Sequence, residues 1–156
     1  MKILNLITLD KQLNSKPEII KGDKYLDDKG ILKYFNTLDL SPVKRLYTSK
    51  PSSINIIKAW QGHQKECKWF YVTYGEFKVV LVKPDNWINP KIDLEYEEFK
   101  MKYANNQILF VPAGFLTGFQ ALVADSELMI FSDKLLGDSL NDDYRFDKDL
   151  FYNWYK

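Results

Sequence analysis

Short runs of apolar, β-branched and aromatic residues, separated by turn residues, recur along most of this chain. Residues 69–73 and 77–82 are two such runs, and Gly75 lies between them where a hairpin turn would fall. These two runs therefore predict a β-hairpin. The same pattern predicts further strands at residues 31–35, 43–47, 54–60, 94–102, 107–111, 118–122 and 127–132.

Regularly spaced short strands are typical of a sandwich or barrel. Little of the chain shows helical periodicity. Residues 147–154 could form a short terminal helix, or the aromatic residues within and beside that stretch could cover the barrel instead. No internal repeat or linker interrupts the 156 residues. We expect an all-β fold in one domain, residues 1–156, with a short C-terminal helical or irregular segment.

Composition and charge exclude several classes of function. The formal net charge is +1 and no run of Lys or Arg is present, so nothing indicates binding to nucleic acid. The apolar run within residues 1–8 is too short for a signal peptide or a membrane span. Cys67 is the single cysteine, which excludes a disulfide framework and a cysteine metal cluster. We expect a soluble, cytoplasmic protein that does not bind membranes.

Two segments resemble the two-part signature of the cupin barrels. The first part runs H-x-H, three or four residues, Glu, six residues, Gly. Here Gln61 and His63 stand at the two His positions, Lys68 stands at the Glu position and Gly75 ends the motif. The second part, P-x-G-x-x-H, has Thr117 at its His position. The resemblance implies a jelly-roll (double-stranded β-helix) barrel.

In cupins these motif positions supply metal ligands on facing strands. A divalent transition metal requires several imidazole, thiolate or carboxylate ligands. This chain would offer one imidazole, one amide, one hydroxyl and one ammonium group at those positions. We therefore predict a site without metal and a protein without cofactor.

Several segments resemble a narrower group, the dTDP-4-dehydrorhamnose 3,5-epimerases and the dTDP-4-keto-6-deoxyglucose 3,4-ketoisomerases. These enzymes deprotonate a nucleotide-linked sugar beside its ketone. The matching segments occur in the same order and with similar spacing. They are residues 27–35, 44–47, 58–64, 68–72, 109–119, 132–133 and 144–147.

The resemblance assigns candidate catalytic roles to three residues. Gln61 stands where the epimerases have their His base, and an amide cannot abstract a carbon-bound proton. His63 matches a second His of the ketoisomerases and, two residues on, shares a strand face with Gln61. An imidazole with a pKa of about 6.5 suits a general base. Lys68, together with Gln61, would stabilise the enolate. Alternatively, His63 is a hydrogen-bonded structural residue, and Lys68 is a surface residue whose charged end reaches the solvent.

A second set of residues is a candidate for substrate binding. By resemblance, Lys29 and Lys58 lie near the nucleotide diphosphate, and Tyr47 matches a ketoisomerase tyrosine. Trp60 and Tyr71 could stack on a base or sugar ring, or could belong to the core. The full candidate set is Lys29, Tyr47, Lys58, Trp60, Tyr71 and Thr117.

The resemblance implies a ketoisomerase or epimerase of a nucleotide-linked, dTDP-type 4-keto-6-deoxy sugar, in cell-surface polysaccharide or deoxysugar synthesis. The alternatives are an inactive cupin that binds a nucleotide sugar or carbohydrate as a sensor or partner subunit, and a cupin with unrelated chemistry. We also expect a homodimer. Barrel edges are usually covered, residues 3–8 have strand character, and in the related enzymes N-terminal strands join the partner's sheet.

Overall fold

The computed structural model describes residues 15–156. The elements are β1 (Glu18–Lys21), β2 (Asp23–Asp27), β3 (Gly30–Tyr34), β4 (Arg45–Ser49), β5 (Ile57–His63), β6 (Lys68–Tyr74), β7 (Glu76–Val82), β8 (Tyr96–Lys102), a 3-10 turn (Tyr103–Asn105), β9 (Gln107–Val111), β10 (Phe115–Ala121), β11 (Glu127–Ser132), α1 (Leu136–Leu140) and β12 (Tyr144–Arg145). Two five-stranded antiparallel sheets face each other, with strand orders β1-β9-β6-β11-β4 and β12-β5-β10-β7-β8, and β2 and β3 form a separate two-stranded ribbon. This all-β barrel confirms the predicted fold class.

Alternation along the strands divides the residues between two buried layers. On β6, Phe70 and Val72 belong to the core between the sheets, whereas Trp69 and Tyr71 pack on the outer face. Phe119 of β10 makes edge-to-face contacts with Phe70 and Phe77 inside the barrel. The apolar core fills only part of the interior, so the rest is left for polar side chains.

The C-terminal segment covers the outer face of the second sheet. It is irregular, which is one of the two alternatives that the sequence left open for residues 147–154. Two indole groups take backbone carbonyls that a helix would need: Trp60 Nε1 donates to Leu150 O at 2.7 Å, and Trp154 Nε1 donates to Lys148 O at 3.0 Å. Phe151 also has a left-handed φ of 67°. The aromatic side chains thus pack on the sheet instead of lining one side of a helix.

Most strands predicted from the sequence are present, and those at 107–111 and 127–132 have the predicted bounds. β5 begins and ends three residues later than predicted, and β10 begins three residues earlier. β1, β2 and β12 were not predicted. Residues 3–8, on which the expected dimer depends, lie outside the described residues. Within residues 15–156, no helix is both long enough and apolar enough to cross a membrane.

Candidate functional site

A two-lobed cleft opens between the two sheets, beside β4 of the first sheet and β5 and β12 of the second. The first lobe has a volume of about 500 Å³ and the second about 440 Å³. Both lobes are lined by Tyr47, Gln61, Lys68 and Arg145, so they meet at these side chains. A volume of this size is typical of small-molecule sites.

Lys68 lies at the bottom of the cleft. It is the first residue of β6, points into the barrel and is 4% exposed. Its Nζ is 3.5 Å from Gln61 Oε1, the long limit of a hydrogen bond. Burial lowers the pKa of Lys68 to about 8, although the charge of Glu66 partly opposes this. The ammonium group therefore has unused capacity to donate to a ligand oxygen.

The Gln61 amide is held in one orientation by a chain of polar contacts. Its Nε2 donates to Asp143 Oδ1 at 2.8 Å, and its Oε1 faces Lys68. Asp143 in turn accepts from Arg145 Nε at 3.1 and 3.0 Å. Burial tends to raise the pKa of Asp143, but the hydrogen bonds from Gln61 and Arg145 outweigh it and hold that pKa below its usual value. Gln61 is thus an oriented polar group of the cleft.

His63 is placed next to the cleft but is not among the residues that line either lobe. Its ring is 4% exposed, and Nδ1 lies 2.6 Å from Asp142 O and 3.2 Å from Glu66 Oε2. Because a carbonyl only accepts, Nδ1 carries the proton. Nε2 is buried with no hydrogen-bond partner in the described part of the chain. Burial and the charge of Lys68 lower the pKa of His63, so the ring is neutral at pH 7.

Glu66 is the centre of a buried polar network that sequence reasoning missed. Its carboxylate accepts from Arg45 Nη2 at 2.9 Å, Ser132 Oγ at 2.5 Å and Ser139 Oγ at 2.7 Å, besides the contact with His63. Burial would raise the pKa of Glu66, but the hydrogen bonds from Ser132 and Ser139 and the charge of Lys68 hold that pKa below its usual value. The available signal was weak: Glu66 is the one acidic residue in the short turn between β5 and β6.

Four of the candidate binding residues line the first lobe, namely Tyr47, Lys58, Trp60 and Thr117. Thr117 is paired with Gln61 across β10 and β5, and its Oγ1 donates to Gln61 O at 3.2 Å. Tyr47 lines both lobes, and burial together with the charge of Glu66 raises its pKa to about 12. Lys58 is exposed, and its Nζ donates to Ser49 Oγ at 3.0 Å.

The structure does not bring Tyr71 or Lys29 to the cleft, and the aromatic contacts of the Trp60 ring lie outside it. Tyr71 packs on the outer face of the first sheet, where its hydroxyl donates to Asn106 Oδ1 at 3.1 Å. Lys29 lies in the exposed turn of the β2–β3 ribbon. Trp60 borders the first lobe, but its ring packs against Phe151 and Trp154. Tyr71 lies on the outer face because side chains alternate along β6. The Trp60 ring packs on the C-terminal segment, which covers the outer face of the second sheet.

No family model matches the sequence, and no curated protein matches it. Solved structures do match. A dTDP-4-dehydrorhamnose 3,5-epimerase from Bacillus anthracis, with TDP and pyrophosphate bound, is 18% identical over 90% of this chain and 85% of its own, with a TM-score of 0.73. The corresponding Sulfolobus tokodaii enzyme is 20% identical over 90% and 81%, with a TM-score of 0.71. A 3,4-ketoisomerase from Helicobacter canadensis is 16% identical over 85% and 92%, with a TM-score of 0.67.

The chain has the cupin fold of these enzymes. The resemblance found in the sequence is thereby confirmed for the fold. In this barrel the two motif parts lie on paired strands, with Gln61 opposite Thr117 and His63 opposite Phe115. Within residues 15–156, no group of three or more His, Cys, Asp or Glu side chains is arranged to hold a metal ion. The polar end of the barrel therefore presents an ammonium group, an amide, a phenol and guanidinium groups to a ligand.

Proposed function

We propose that this cupin binds a nucleotide-linked 4-keto-6-deoxy sugar and moves a proton at the carbon beside the ketone. The observation that carries the proposal is Lys68, a buried ammonium group that lies beside the oriented Gln61 amide at the bottom of a cleft of ligand size. Structures of the same fold are described as dTDP-sugar epimerases and ketoisomerases, and this supports the substrate class.

We assign the proton transfer to Lys68, because it lines the cleft and burial lowers its pKa to about 8, so that part of it is the neutral amine at pH 7. The neutral amine takes the C3 proton and becomes an ammonium ion, while the electron pair moves to the C4 oxygen. The Tyr47 hydroxyl, which also lines the cleft, donates to that oxygen. The C3 hydroxyl proton then passes to the C4 oxygen, and Lys68 returns its proton to C4. The ketone has then moved from C4 to C3, which is the reaction of a 3,4-ketoisomerase.

Sequence reasoning gave the role of base to His63, and the structure supports a different role for it. Its Nε2 is basic, but the ring is not among the residues that line the lobes. His63 contacts Glu66 and the Asp142 carbonyl, which leads into β12. Its partner across the strand pair is Phe115, two residues before Thr117. We propose that His63 positions the polar end of the barrel, while Lys68 contacts the substrate.

Solvent-deuterium incorporation into dTDP-4-keto-6-deoxyglucose, followed by proton NMR, tests the proposal. Wild type should exchange the C3 proton, and Lys68→Met should slow the exchange by about 100-fold or more, since a positioned general base typically contributes about 100-fold to 10,000-fold to the rate. Lys65→Met, which changes an exposed lysine in the turn after β5, is the matched control and should exchange at the wild-type rate.

The histidine variant separates the two assignments of the base. His63→Asn should retain measurable exchange if Lys68 is the base, and complete loss in His63→Asn with a wild-type melting temperature would return the role to His63. A wild-type protein that exchanges no proton of any such sugar would refute the proposed function.

The second candidate is a cupin that binds the nucleotide sugar without converting it. The specific observation is Gln61, an amide that takes the position of a catalytic His and is fixed by Asp143. Gln61→His restores the two-histidine pattern on one strand face. If wild type is inert and Gln61→His exchanges the proton, the barrel binds the sugar but lacks a base. If both proteins bind the sugar and both are inert, the protein is a binding cupin.

A further inference from the structure

Three polar side chains form a line that crosses the inside of the barrel from the second sheet to the first. Asp143 directly precedes β12, in which Arg145 is paired with Gln61 of β5. Asp143 Oδ1 accepts from Gln61 Nε2 at 2.8 Å, and Gln61 Oε1 lies 3.5 Å from Nζ of Lys68, the first residue of β6. We propose that Asp143 is a positioning residue for the Lys68 base and that it acts through the Gln61 amide.

This inference rests on the proposed function, in which Lys68 takes and returns the sugar proton, and it adds a residue that no motif position identified. Asp143 lines the second lobe, but its carboxylate is already engaged. Oδ1 accepts from Gln61, and Arg145 Nε donates to Oδ1 at 3.1 Å and to Oδ2 at 3.0 Å. The carboxylate is therefore fixed on one side by a guanidinium group and holds the amide on the other.

The two neighbours of the Gln61 amide decide which way round it lies. Although burial tends to raise the pKa of Asp143, the hydrogen bonds from Gln61 and Arg145 keep that pKa below its usual value, so the carboxylate is ionised at pH 7 and only accepts. The ammonium group of Lys68 only donates. A reversed amide would place Nε2 against the protons on Nζ and Oε1 against the carboxylate. Asp143 therefore directs Oε1 towards Lys68.

An acceptor beside Nζ suits a lysine that acts as a base. The neutral amine has two N–H groups and one lone pair, and the lone pair takes the proton from carbon. When Gln61 Oε1 accepts one N–H of Lys68, the lone pair points away from the amide. A reversed amide would donate to the lone pair and block it. Hydrogen bonds of catalytic groups are often long without substrate and tighten when it binds, which fits the 3.5 Å distance.

The other charged groups near Lys68 lack this connection. The groups whose charges act on Lys68 are Glu66, Arg45, Asp143 and Arg145, and the neutral ring of His63 lies beside them. Glu66 accepts from Arg45 and from two serine hydroxyls, not from Nζ. Within the described residues, Asp143 is thus the carboxylate that a hydrogen-bonded side chain connects to Nζ.

The pH profile of deuterium exchange into dTDP-4-keto-6-deoxyglucose tests the role of Asp143. Asp143→Ala removes the acceptor for Gln61 Nε2 and should lower kcat on the high-pH plateau by about tenfold, the size expected for a hydrogen bond to a charged group. The rising limb should also move to lower pH, because the ammonium form of Lys68 loses an acceptor and a nearby negative charge. Asp143→Asn keeps an acceptor oxygen and should recover much of the lost plateau rate. Asp138→Ala, at an exposed position of α1, is the matched control and should exchange at the wild-type rate.

NMR titration of isotope-labelled lysine side chains gives a second readout that needs no sugar. Lys68 should titrate with a pKa of about 8 in wild type and with a lower pKa in Asp143→Ala. Gln61→Met has a similar length but removes the amide. In that background Asp143→Ala should lower the pKa of Lys68 by less than it does in wild type, since only the effect of the carboxylate charge remains. Melting temperatures verify that each variant is folded.

Equal plateau rates and equal Lys68 titrations in wild type and Asp143→Ala would overturn the inference. An Asp143→Asn variant as slow as Asp143→Ala would also overturn it, because the carboxylate would then act by its charge and not as an acceptor. So would an equal effect of Asp143→Ala with and without the Gln61 amide. If the Lys68 titration depends on Asp143 through Gln61 but no sugar proton exchanges, the positioning of Lys68 stands and the proposed function fails. If a sugar exchanges at the same rate with and without the Asp143 carboxylate, the proposed function stands and this inference fails.

Discussion

Replacing Lys68 by methionine should make the protein more stable at neutral pH. The ordinary lysine pKa of 10.5 falls to about 8 in the folded protein, with burial as the largest cause. At about 1.4 kcal/mol for each tenfold change in an equilibrium constant, keeping this ammonium charged inside the barrel costs roughly 3 kcal/mol of folding free energy. Methionine has a similar length and no charge, so Lys68→Met should recover much of that cost at pH 7.

The stability difference between Lys68→Met and wild type should decrease as the pH rises. Because the folded pKa is the lower one, the unfolded chain binds more protons between about pH 8 and 10.5, and the contribution of Lys68 to stability rises with pH across that window. The cost is fully present below pH 8 and is gone above 10.5. The advantage of Lys68→Met over wild type should therefore be largest at pH 7 and shrink towards zero by about pH 10.5.

Urea unfolding followed by tryptophan fluorescence at pH 7, 9 and 10.5 measures this difference. Comparing the variant with wild type cancels groups such as Tyr47, whose raised pKa acts on both proteins. Lys65→Met is the matched control, and a change at this exposed site should stay within about 0.5 kcal/mol. Destabilisation by Lys68→Met at pH 7, or a difference that does not vary with pH, would refute the reasoning.

Two further predictions follow from the polar network and from the motif positions. Glu66→Gln removes the charge that pairs with Arg45 and should lower the free energy of unfolding by about 3 kcal/mol in urea at pH 7. A loss below about 1 kcal/mol would contradict the central role of this carboxylate. Protein purified without added metal should contain no stoichiometric zinc, iron or manganese by elemental analysis, since Gln61, Lys68 and Thr117 offer no ligand set with His63. One equivalent of such a metal bound between these side chains would contradict the prediction.

The strands were predictable because turn residues separate them, but the face that each side chain occupies was not. Tyr71 shows why. In β6, Trp69 and Phe70 are both buried, one outside and one inside the barrel, so the strand has no alternation of polar and apolar residues to reveal its inner face. The motif position alone indicated that Lys68 points into the barrel. Because successive side chains of a strand alternate between its faces, Tyr71, three residues later, then points outward.

The polar network and the C-terminal segment depend on contacts between distant parts of the chain. Glu66 meets Ser139 across 73 residues, and Trp60 meets Leu150 O across 90 residues. No local pattern encodes such pairs. Only the packing of α1 and of the irregular C-terminal segment against the barrel brings them together. Local sequence predicted the strands, and tertiary contacts determined the site.

The cost of Lys68 bears directly on what the barrel does. A buried ammonium group with no ion pair among the described residues destabilises the fold, and methionine or leucine would fill the same space without that cost. The neighbouring carboxylate Glu66 does not remove the cost, because it is saturated by Arg45 and two serine hydroxyls. A structural role therefore does not account for the lysine. A catalytic role does account for it, because burial lowers the pKa of Lys68 to about 8 and so leaves part of the side chain as the neutral amine that the proposed proton transfer requires.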